Sequence, residues 1–326
     1  MTLTPRPFAT LSPDRVLQAA EAAGLAPDGR LFALNSYENR VYRVGCDAGA
    51  VVLKFYRAER WSDAQIAEEH EFALELAAAD LPVAAPLRLQ QRTLHHWEDL
   101  RFAVFPLCPG AAPDLSLPGQ LELLGRTLAR WHAQGARRRF ELRPRLLGEQ
   151  LGARARRTVL ASALLPEGCA ARYATVSGWL LERIEEAWQR CGPLQYIRLH
   201  GDCHLGNILW RATGPLFVDL DDCVSGPRIQ DLWMFLSGSP DEQRGQWQQL
   251  LAGYRQFGDL DFVELQFIEA LRAARMLNHA AWVAERWPDP AFPAAFPWFG
   301  EVRFWEQYCN DLAEQCEAVS APPLLA

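Results

Sequence analysis

Two short apolar segments, each accompanied by oxygen-bearing side chains, constrain the fold of this chain more than any other feature. The segment QYIRLH is followed by Asp202, with Asn207 five positions later, and the segment PLFVDL carries Asp219. Carboxylate and amide oxygens are the ligands that hard divalent cations prefer in proteins. We therefore expect a fold in which two short strands present these three side chains. The simpler alternative is that Asp202 and Asn207 only form turns by capping backbone groups.

The order of these residues matches the catalytic and metal-binding loops of kinases, in which D-x-x-x-x-N precedes a further Asp. Phosphoryl transfer requires a carboxylate near the acceptor hydroxyl, and it requires Mg²⁺ to neutralise the polyphosphate. Asp202 fits the first role, and Asn207 and Asp219 fit the second. The sequence thus predicts catalytic residues Asp202 and Asp219, with Asn207 and Asp219 as metal ligands.

Lys54 is the only lysine among the 33 strongly basic residues, and it lies in the strand-like segment VVLKFY. A bias toward arginine explains most of this imbalance, since Arg serves as well as Lys on most surfaces. The lysine ammonium is compact, whereas the guanidinium is a wide planar fork, so a lysine suits a site at nucleotide phosphates. Lys54 is therefore a candidate catalytic and ATP-binding residue. The alternative is an edge-strand lysine retained by chance.

The N-terminal third predicts a small sheet with one helix. The segments LFAL, VYRV, VVLKFY, LPVAAPLRL and LRFAVFPL are typical of strands, and they are separated by polar or glycine-containing stretches. A helix is expected from about Ser62 to Ala79, with Ser62 and Gln65 forming a capping box. PLCPGAAPD is rich in Pro and Gly. We therefore divide the chain into an N-terminal lobe of residues 1–105, a hinge of residues 106–114 and a C-terminal lobe of residues 115–326.

The C-terminal lobe is predicted to be mainly helical. Helices are expected after Pro118, over the basic stretch RARRTVLASALL, around residues 176–190 and in the C-terminal region. Two short strands, QYIRLH and PLFVDL, interrupt them. The predicted fold class is therefore α+β, with a small β-rich N-terminal lobe and a larger, mainly helical C-terminal lobe.

Composition excludes several classes of partner. The net charge of −7 argues against a general nucleic-acid binder, and no apolar run reaches the length of a membrane span. The N-terminus lacks the apolar segment of a secretory signal. Eight cysteines without a CxxC pair indicate reduced thiols in the cytoplasm. We expect a monomer whose partners are ATP and a hydroxyl-bearing acceptor.

HGDCHLGN and FVDLDD resemble the aminoglycoside phosphotransferase and choline kinase-like family, which shares the two-lobed protein kinase-like fold. LNSYENRVY, KFYRAERW, QDLWM and DPAFPAAFPW narrow the resemblance to the bacterial stress response kinase A (YihE) family, over nearly the whole chain. The resemblance implies a cytoplasmic, Mg²⁺-dependent Ser/Thr protein kinase that uses ATP in stress responses. It also implies Asp202 as the proton acceptor, Asn207 and Asp219 as Mg²⁺ ligands, and Ser36 at the ATP site.

The sequence departs from ordinary protein kinases in two places. The glycine-rich loop is replaced by NSYENR, where backbone N–H groups and the Ser36 hydroxyl can still contact phosphate, unless the stretch is a plain hairpin tip. Gly201 rather than Arg precedes Asp202, and no A-P-E motif follows Asp219. These differences predict a site that needs no phosphorylated activation loop, unless Arg198 or Arg228 substitutes for the missing arginine.

Glu69 is the expected ion-pair partner of Lys54, because it lies on the helix that follows the lysine strand. Glu68 is the rival, one residue away and about 100° round the helix. Glu71 is less favoured, and a solvated acidic face is the alternative for all three.

Other polar residues near the motifs have a structural interpretation that we favour. Asp221 would share the face of Asp219 in an extended strand, and we expect a hydrogen-bonded structural carboxylate rather than a second metal ligand. Asp231 is predicted to be an N-cap that also braces the catalytic loop. A zinc site at His200, Cys203 and His204 lacks its second half. Cys203 is expected to be a buried, inert thiol rather than an oxidant sensor.

The sequence does not identify the molecule that accepts the phosphoryl group. A small-molecule kinase acting on an aminoglycoside, choline or a similar alcohol would use the same catalytic residues. A nucleotide-binding pseudokinase is disfavoured by the complete catalytic set. The aromatic segment WPDPAFPAAFPWFG either lines an acceptor cleft or packs as a rigid flap, and ATP is expected between the lobes near FAVFPLCPG.

Overall fold

The computed structural model describes residues 8–147 and 151–323. In chain order its helices and strands are α1 Pro13–Ala22, β1 Pro27–Leu34, β2 Arg40–Cys46, β3 Val51–Phe55, α2 Asp63–Ala78, β4 His95–Trp97, β5 Leu100–Pro106, α3 Gln120–Gly135, α4 Ala153–Leu160, α5 Glu167–Cys191, β6 Ile197–Leu199, β7 Ile208–Arg211, β8 Gly214–Phe217, β9 Val224–Gly226, α6 Pro240–Tyr254, α7 Ile268–Arg286, α8 Ala291–Ala295 and α9 Val302–Ser320. Short 3-10 helices lie at Leu205–Asn207, Leu220–Asp222, Arg228–Asp231, Trp233–Phe235 and Phe262–Phe267.

The N-terminal lobe is built on a five-stranded antiparallel sheet in the order β1-β2-β3-β5-β4. Lys54 on the central strand β3 lies opposite Val41 of β2 and Ala103 of β5. Side chains alternate along a strand, so Leu53 and Phe55 pack with α1 while Lys54 faces α2. The alternation therefore aims the only lysine at the helix that carries Glu69.

Helix α1 is a second helix in a lobe for which the sequence analysis predicts one. The Ser12 hydroxyl caps it by accepting the Arg15 N–H, and Pro13 occupies its first turn. Val16, Ala19 and Ala20 are fully buried against the sheet. Because α1 covers one face and α2 the other, the central strand is apolar along almost its whole length.

Helix α2 begins where the capping box predicts. The Ser62 hydroxyl accepts the Gln65 N–H at 3.2 Å, and the Gln65 side chain accepts the Ser62 N–H at 3.0 Å. Its buried residues include Ile66, Phe72 and Leu76, the apolar face expected from the spacing. The predicted helix bounds are confirmed to within one residue.

The strand predicted at LPVAAPLRL is wrong. Residues 82–84 instead make a short parallel bridge to β8, with the Ala84 N–H donating to the Phe217 carbonyl and the Phe217 N–H to the Pro82 carbonyl, both at 2.9 Å. Proline cannot donate to a ladder, so Pro82 and Pro86 exclude this segment from a central sheet position. The bridge ties the N-terminal lobe to the strand that leads into Asp219.

The C-terminal lobe packs its helices around one large core. Helices α3 and α6 cross so closely that a Cβ on Gly125 would lie 1.9 Å from the Leu250 carbonyl oxygen. The two short strands predicted here do not pair with each other, because β6 pairs with β9 and β8 pairs with β7. Helix α5 is also longer than expected, running from Glu167 to Cys191.

The segment predicted as a hinge lies against the C-terminal lobe. Ala111 and Trp210 of β7 exchange backbone hydrogen bonds of 3.0 and 2.7 Å. A small sheet lobe followed by a larger helical one is the protein kinase-like architecture that the sequence predicts. Among residues 8–147 and 151–323, no helix combines the length and the hydropathy needed to cross a membrane.

Candidate active site

The catalytic loop, residues 200–207, is held by one buried carboxylate. Asp231 accepts the His200 N–H on Oδ2 and the Gly201 N–H on Oδ1, both at 2.8 Å. Asp231 is fully buried, and His132 Nε2 lies 3.4 Å from its Oδ2. The predicted N-cap role is wrong, because Asp231 ends a 3-10 helix instead of beginning a helix. Its side chain caps the catalytic loop, which is the bracing contact that the sequence analysis expects.

Gly201 is a glycine for two geometric reasons. Its φ of +85° lies in the left-handed region, and a Cβ there would lie 2.1 Å from the Asp222 carbonyl oxygen. An arginine therefore cannot occupy this position in this backbone conformation. Both candidate substitutes are engaged elsewhere, since Arg198 pairs with Glu75 at 2.7 Å and Arg228 donates to Gln195 at 2.9 Å.

Asp202 and Asn207 lie side by side in the loop. The Asn207 amide donates to the Asp202 carbonyl oxygen at 2.9 Å, which directs its own Oδ1 away from that bond. The Asp202 carboxylate pairs with Arg275 of α7 at 2.5 Å and with His204 at 3.3 Å. Burial would raise the pKa of Asp202, but the hydrogen bond from His204 and the charge of Arg275 hold that pKa below its usual range. Asp202 is therefore a carboxylate near neutral pH.

Lys54 reaches across the cleft to the second motif. Its Nζ lies 2.7 Å from Asp219 Oδ1, 3.1 Å from Asp221 Oδ1 and 4.0 Å from Glu69 Oε1. Burial would lower the pKa of Lys54, but the charges of Asp219, Asp221 and Glu69 raise it well above its usual value. Asp219 itself has a left-handed φ of +59°, a region that Asp tolerates better than most residues. The sequence analysis thus selected a lysine and an aspartate that are in direct contact.

Glu69, and not its rivals, is the glutamate at Lys54. The Glu68 carboxylate accepts backbone N–H groups of residues 141–143, and Glu71 pairs with Arg138 at 3.1 Å. Glu69 is buried between Lys54 at 4.0 Å and Arg143 at 3.8 Å, too far from either for a hydrogen bond. Burial therefore raises the pKa of Glu69 to about 7, in spite of these cations.

Asp221 is bound by protein cations. It is 3% exposed, and it pairs with both Lys54 and Arg60. The predicted extended strand is wrong, because Leu220–Asp222 forms a 3-10 helix. Since its charge is matched within the protein, Asp221 fits the structural role that the sequence analysis favours over metal ligation.

Residues 35–40, which we call the phosphate-side loop, dock onto the C-terminal lobe. The Ser36 hydroxyl donates to the Asn39 carbonyl oxygen at 3.1 Å. Glu38 pairs with Arg286 of α7 at 3.0 Å and accepts the Trp282 indole N–H at 2.6 Å. This contact makes the loop more than a hairpin tip.

A second set of ion pairs reinforces this docking. Arg40 and Arg57 both bond to Asp289 at 2.8 Å, and Arg57 also pairs with Glu38 at 3.0 Å. We call Glu38, Arg40, Arg57, Arg286 and Asp289 the cross-lobe network. Sequence reasoning missed it, because nothing in a single sequence connects charges more than 200 positions apart.

The aromatic segment at residues 287–300 packs as a flap. Phe292 and Phe299 are fully buried, and the Tyr37 ring centroid lies 5.7 Å from that of Phe296. The surface next to Asp202 is formed by other residues, among them His204 and Arg275. A cleft of about 410 Å³ opens there, lined by His204, Trp233, Met234, Leu236, Arg272, Arg275, Met276, His279 and Tyr308. The sequence analysis selected neither arginine of this cleft.

The residues present fit a Mg²⁺–nucleotide site, while the side chains of His200 and His204 bond to backbone groups of Val218 and Gly206. Asn207 Oδ1 and the second oxygen of the half-exposed Asp219 carboxylate are hard donors, and Mg²⁺ takes its remaining ligands from phosphate and water. No three His, Cys, Asp or Glu side chains share a possible metal position within the described ranges. Cys203 is fully buried, and burial raises the pKa of its thiol well above the usual value, as expected of an inert thiol.

Comparison with known proteins agrees with this geometry. Residues 31–267 match the model of the phosphotransferase enzyme family. The chain is 43% identical to the serine/threonine protein kinase RdoA of Salmonella typhimurium, over 97% of this chain and 96% of that protein. It is 41% identical to stress response kinase A of Escherichia coli K12 over the same shares. Amicoumacin kinase, solved with AMP-PNP and Ca²⁺, superimposes with a TM-score of 0.72 at 19% identity, covering 95% of this chain and 94% of that one. The chain therefore belongs to the phosphotransferase enzyme family, with the stress response kinases among its relatives.

Proposed function

We propose that this protein is an ATP- and Mg²⁺-dependent Ser/Thr protein kinase of the bacterial stress response, acting as a cytoplasmic monomer. The observation that carries the proposal is the convergence of Lys54 and Asp219 at 2.7 Å, next to the loop that holds Asp202 and Asn207. The relatives named as stress response and serine/threonine kinases support a protein acceptor.

Each residue then has one role. Asp202 accepts the hydrogen bond of the acceptor hydroxyl and orients it toward the γ-phosphoryl group. Asn207 and Asp219 would hold Mg²⁺, which supplies neutralising charge at the phosphates when bound. Lys54, with Glu69 as its charge partner at 4.0 Å, contacts the phosphates from the N-terminal lobe, and Ser36 does so when its hydroxyl turns away from the Asn39 carbonyl oxygen. Positioning and charge neutralisation supply most of the catalysis.

Two variants test the assignment of base and ligand. Asp202→Ala is expected to lower kcat by about a thousandfold while Mg·ATP still binds, since Asp202 is placed at the acceptor and not at the nucleotide. Asp219→Ala is expected to weaken Mg²⁺-dependent ATP binding as well. Calorimetric titration and single-turnover rates separate these effects, with the exposed, remote Asp259→Ala as control. Wild-type turnover by Asp202→Ala would overturn the assignment.

A small-molecule kinase is the second candidate, because the solved amicoumacin kinase shares the fold. Labelled ATP should be supplied to the protein alone, with casein-type protein substrates, and with a panel of aminoglycosides and choline. We expect transfer to Ser and Thr of protein and none to the amino alcohols. Transfer to the amino alcohols alone would reverse the choice of acceptor.

A further inference from the structure

The cleft beside Asp202 carries arginine and no carboxylate among its described lining residues. Arg272 and Arg275 are three positions apart on α7, so they project from the same face of the helix. The acceptor hydroxyl must reach Asp202, so the groups next to that hydroxyl have to lie against this face.

Both arginines have donors to spare. Arg275 is 46% exposed, and one of its five N–H groups bonds to Asp202. Arg272 pairs with Glu269 through Nε at 3.1 Å and lies over the Trp233 ring at 5.1 Å. Its Nη2 is buried and has no hydrogen-bond partner among the residues that the structure describes. A buried guanidinium nitrogen without a partner is costly, and a turn of the Arg272 side chain toward the cleft would let an anion there accept its N–H.

The chemistry of the cleft therefore discriminates between acceptors. An amino alcohol would place an ammonium group beside two guanidinium groups whose carboxylate partners, Asp202 and Glu269, are already engaged by them. A carboxylate next to the hydroxyl can instead bond to one fork in a bidentate way. We propose that this cleft selects Ser or Thr flanked by acidic residues, with Arg272 and Arg275 as the specificity-determining residues. The inference rests on the proposed function, since it names the substrate class of the same site.

Two peptides of equal length test this directly: Glu-Glu-Ser-Glu-Glu and its neutral isostere Gln-Gln-Ser-Gln-Gln, each within the same flanking sequence. We expect kcat/KM to favour the acidic peptide by about tenfold, the effect of one charged hydrogen bond. Fluorescence anisotropy in the presence of ADP and Mg²⁺ gives the same ratio for binding, independently of the chemical step.

Variants of the two arginines test whether these side chains cause the preference for the acidic peptide. Arg272→Gln is expected to bring the ratio between the two peptides close to one, and Arg272→Lys to keep part of it. Arg275→Gln also touches Asp202, so its readout is the ratio and not the absolute rate. Arg154→Gln, at an 80% exposed position on α4, is the matched control and should leave the ratio unchanged.

The outcomes separate the two proposals. Equal binding of both peptides, or a preference for the neutral one, overturns the inference. A preference that survives in both arginine variants assigns it to other residues and overturns the role of this cleft. If neither peptide is phosphorylated while an amino alcohol is, the protein kinase proposal itself fails.

Discussion

Two loops of the candidate active site are held in place by different kinds of interaction, one by hydrogen bonds to a buried carboxylate and the other by ion pairs. The catalytic loop, residues 200–207, is fixed within its own lobe, because the fully buried Asp231 accepts two of its backbone N–H groups at 2.8 Å. The phosphate-side loop, residues 35–40, is fixed to the opposite lobe by ion pairs of the cross-lobe network.

The difference shows which half of the site is preorganised. Hydrogen bonds from neutral donors to a buried carboxylate respond little to salt, and they stay intact when the lobes move apart. Ion pairs between lobes are screened by salt where they are partly exposed, as at Arg40 and Arg286, and they hold only while the lobes are in contact. The position of the catalytic loop thus depends on its own lobe alone, whereas the position of the phosphate-side loop depends on contact between the lobes.

Asp231→Ala is expected to have the largest effect, because it removes the anchor of the catalytic loop. Two buried N–H groups would lose their acceptor, at a cost of about 3 kcal/mol in the free energy of unfolding, and kcat should fall with the loss of Asp202 geometry. Urea denaturation and steady-state rates measure the two effects. Asp231→Asn, which keeps one acceptor oxygen, should lie between. Wild-type stability in Asp231→Ala would show that the loop has another anchor.

Lys54→Arg comes next and tests the contact between β3 of the N-terminal lobe and Asp219 of the C-terminal lobe. The Lys54 side chain is 7% exposed and contacts three carboxylates, so the pocket has little room for a planar guanidinium. We expect kcat/KM for ATP to fall about a hundredfold with the fold intact. Arg43→Lys on the exposed side of β2 is the control. Full activity of Lys54→Arg would make the lone lysine a compositional accident.

How far the sequence predicts this molecule depends on whether the determining contacts are local or distant. The D-x-x-x-x-N spacing and the Ser62 capping box are local patterns, so the loop and the start of α2 follow from them. Glu69 follows from its place on the helix after Lys54. The pairing of Arg57 with Asp289 joins positions 232 residues apart. Arg272 and Arg275 lie on a helix whose position relative to Asp202 cannot be predicted from its sequence.

Helix α1 could have been predicted, because Ser12 and Pro13 are ordinary helix start signals and the apolar Val16, Ala19 and Ala20 follow at helical spacing. The strand at LPVAAPLRL fails for the opposite reason. Its apolar pattern is local, but two prolines prevent a continuous ladder, and of its described residues Leu87 alone donates its N–H to β5, at the Val104 carbonyl oxygen. The periodicity of apolar residues alone does not predict whether a segment with prolines can join a sheet.

Asp289→Asn is the third test, and it addresses the phosphate-side loop. The variant weakens two ion pairs and leaves Arg57, which is 5% exposed, bonded to carbonyl oxygens and to Glu38. We expect KM for ATP to rise about fivefold, near 1 kcal/mol, with kcat nearly unchanged. Raising salt should increase KM in the wild type and much less in the variant. An equal salt dependence of KM in both proteins would show that the cross-lobe network does not set the affinity for ATP.

The smallest expected effect is none at all, and it concerns phosphorylation of the protein itself. A phosphate switch in a kinase needs a cation beside the catalytic aspartate, to bind the phosphorylated loop and order it. Here that position is Gly201, whose backbone cannot accept a Cβ without meeting the Asp222 carbonyl oxygen at 2.1 Å. Arg198 is committed to Glu75, Arg275 of α7 already pairs with Asp202 at 2.5 Å, and Asp231 already fixes the loop. Treatment of the purified protein with phosphatase, followed by removal of the phosphatase, should therefore leave the initial rate unchanged. A large loss of rate, with a lag that shortens after preincubation with ATP, would show that the catalytic loop is not preorganised and that its anchor is completed by phosphate.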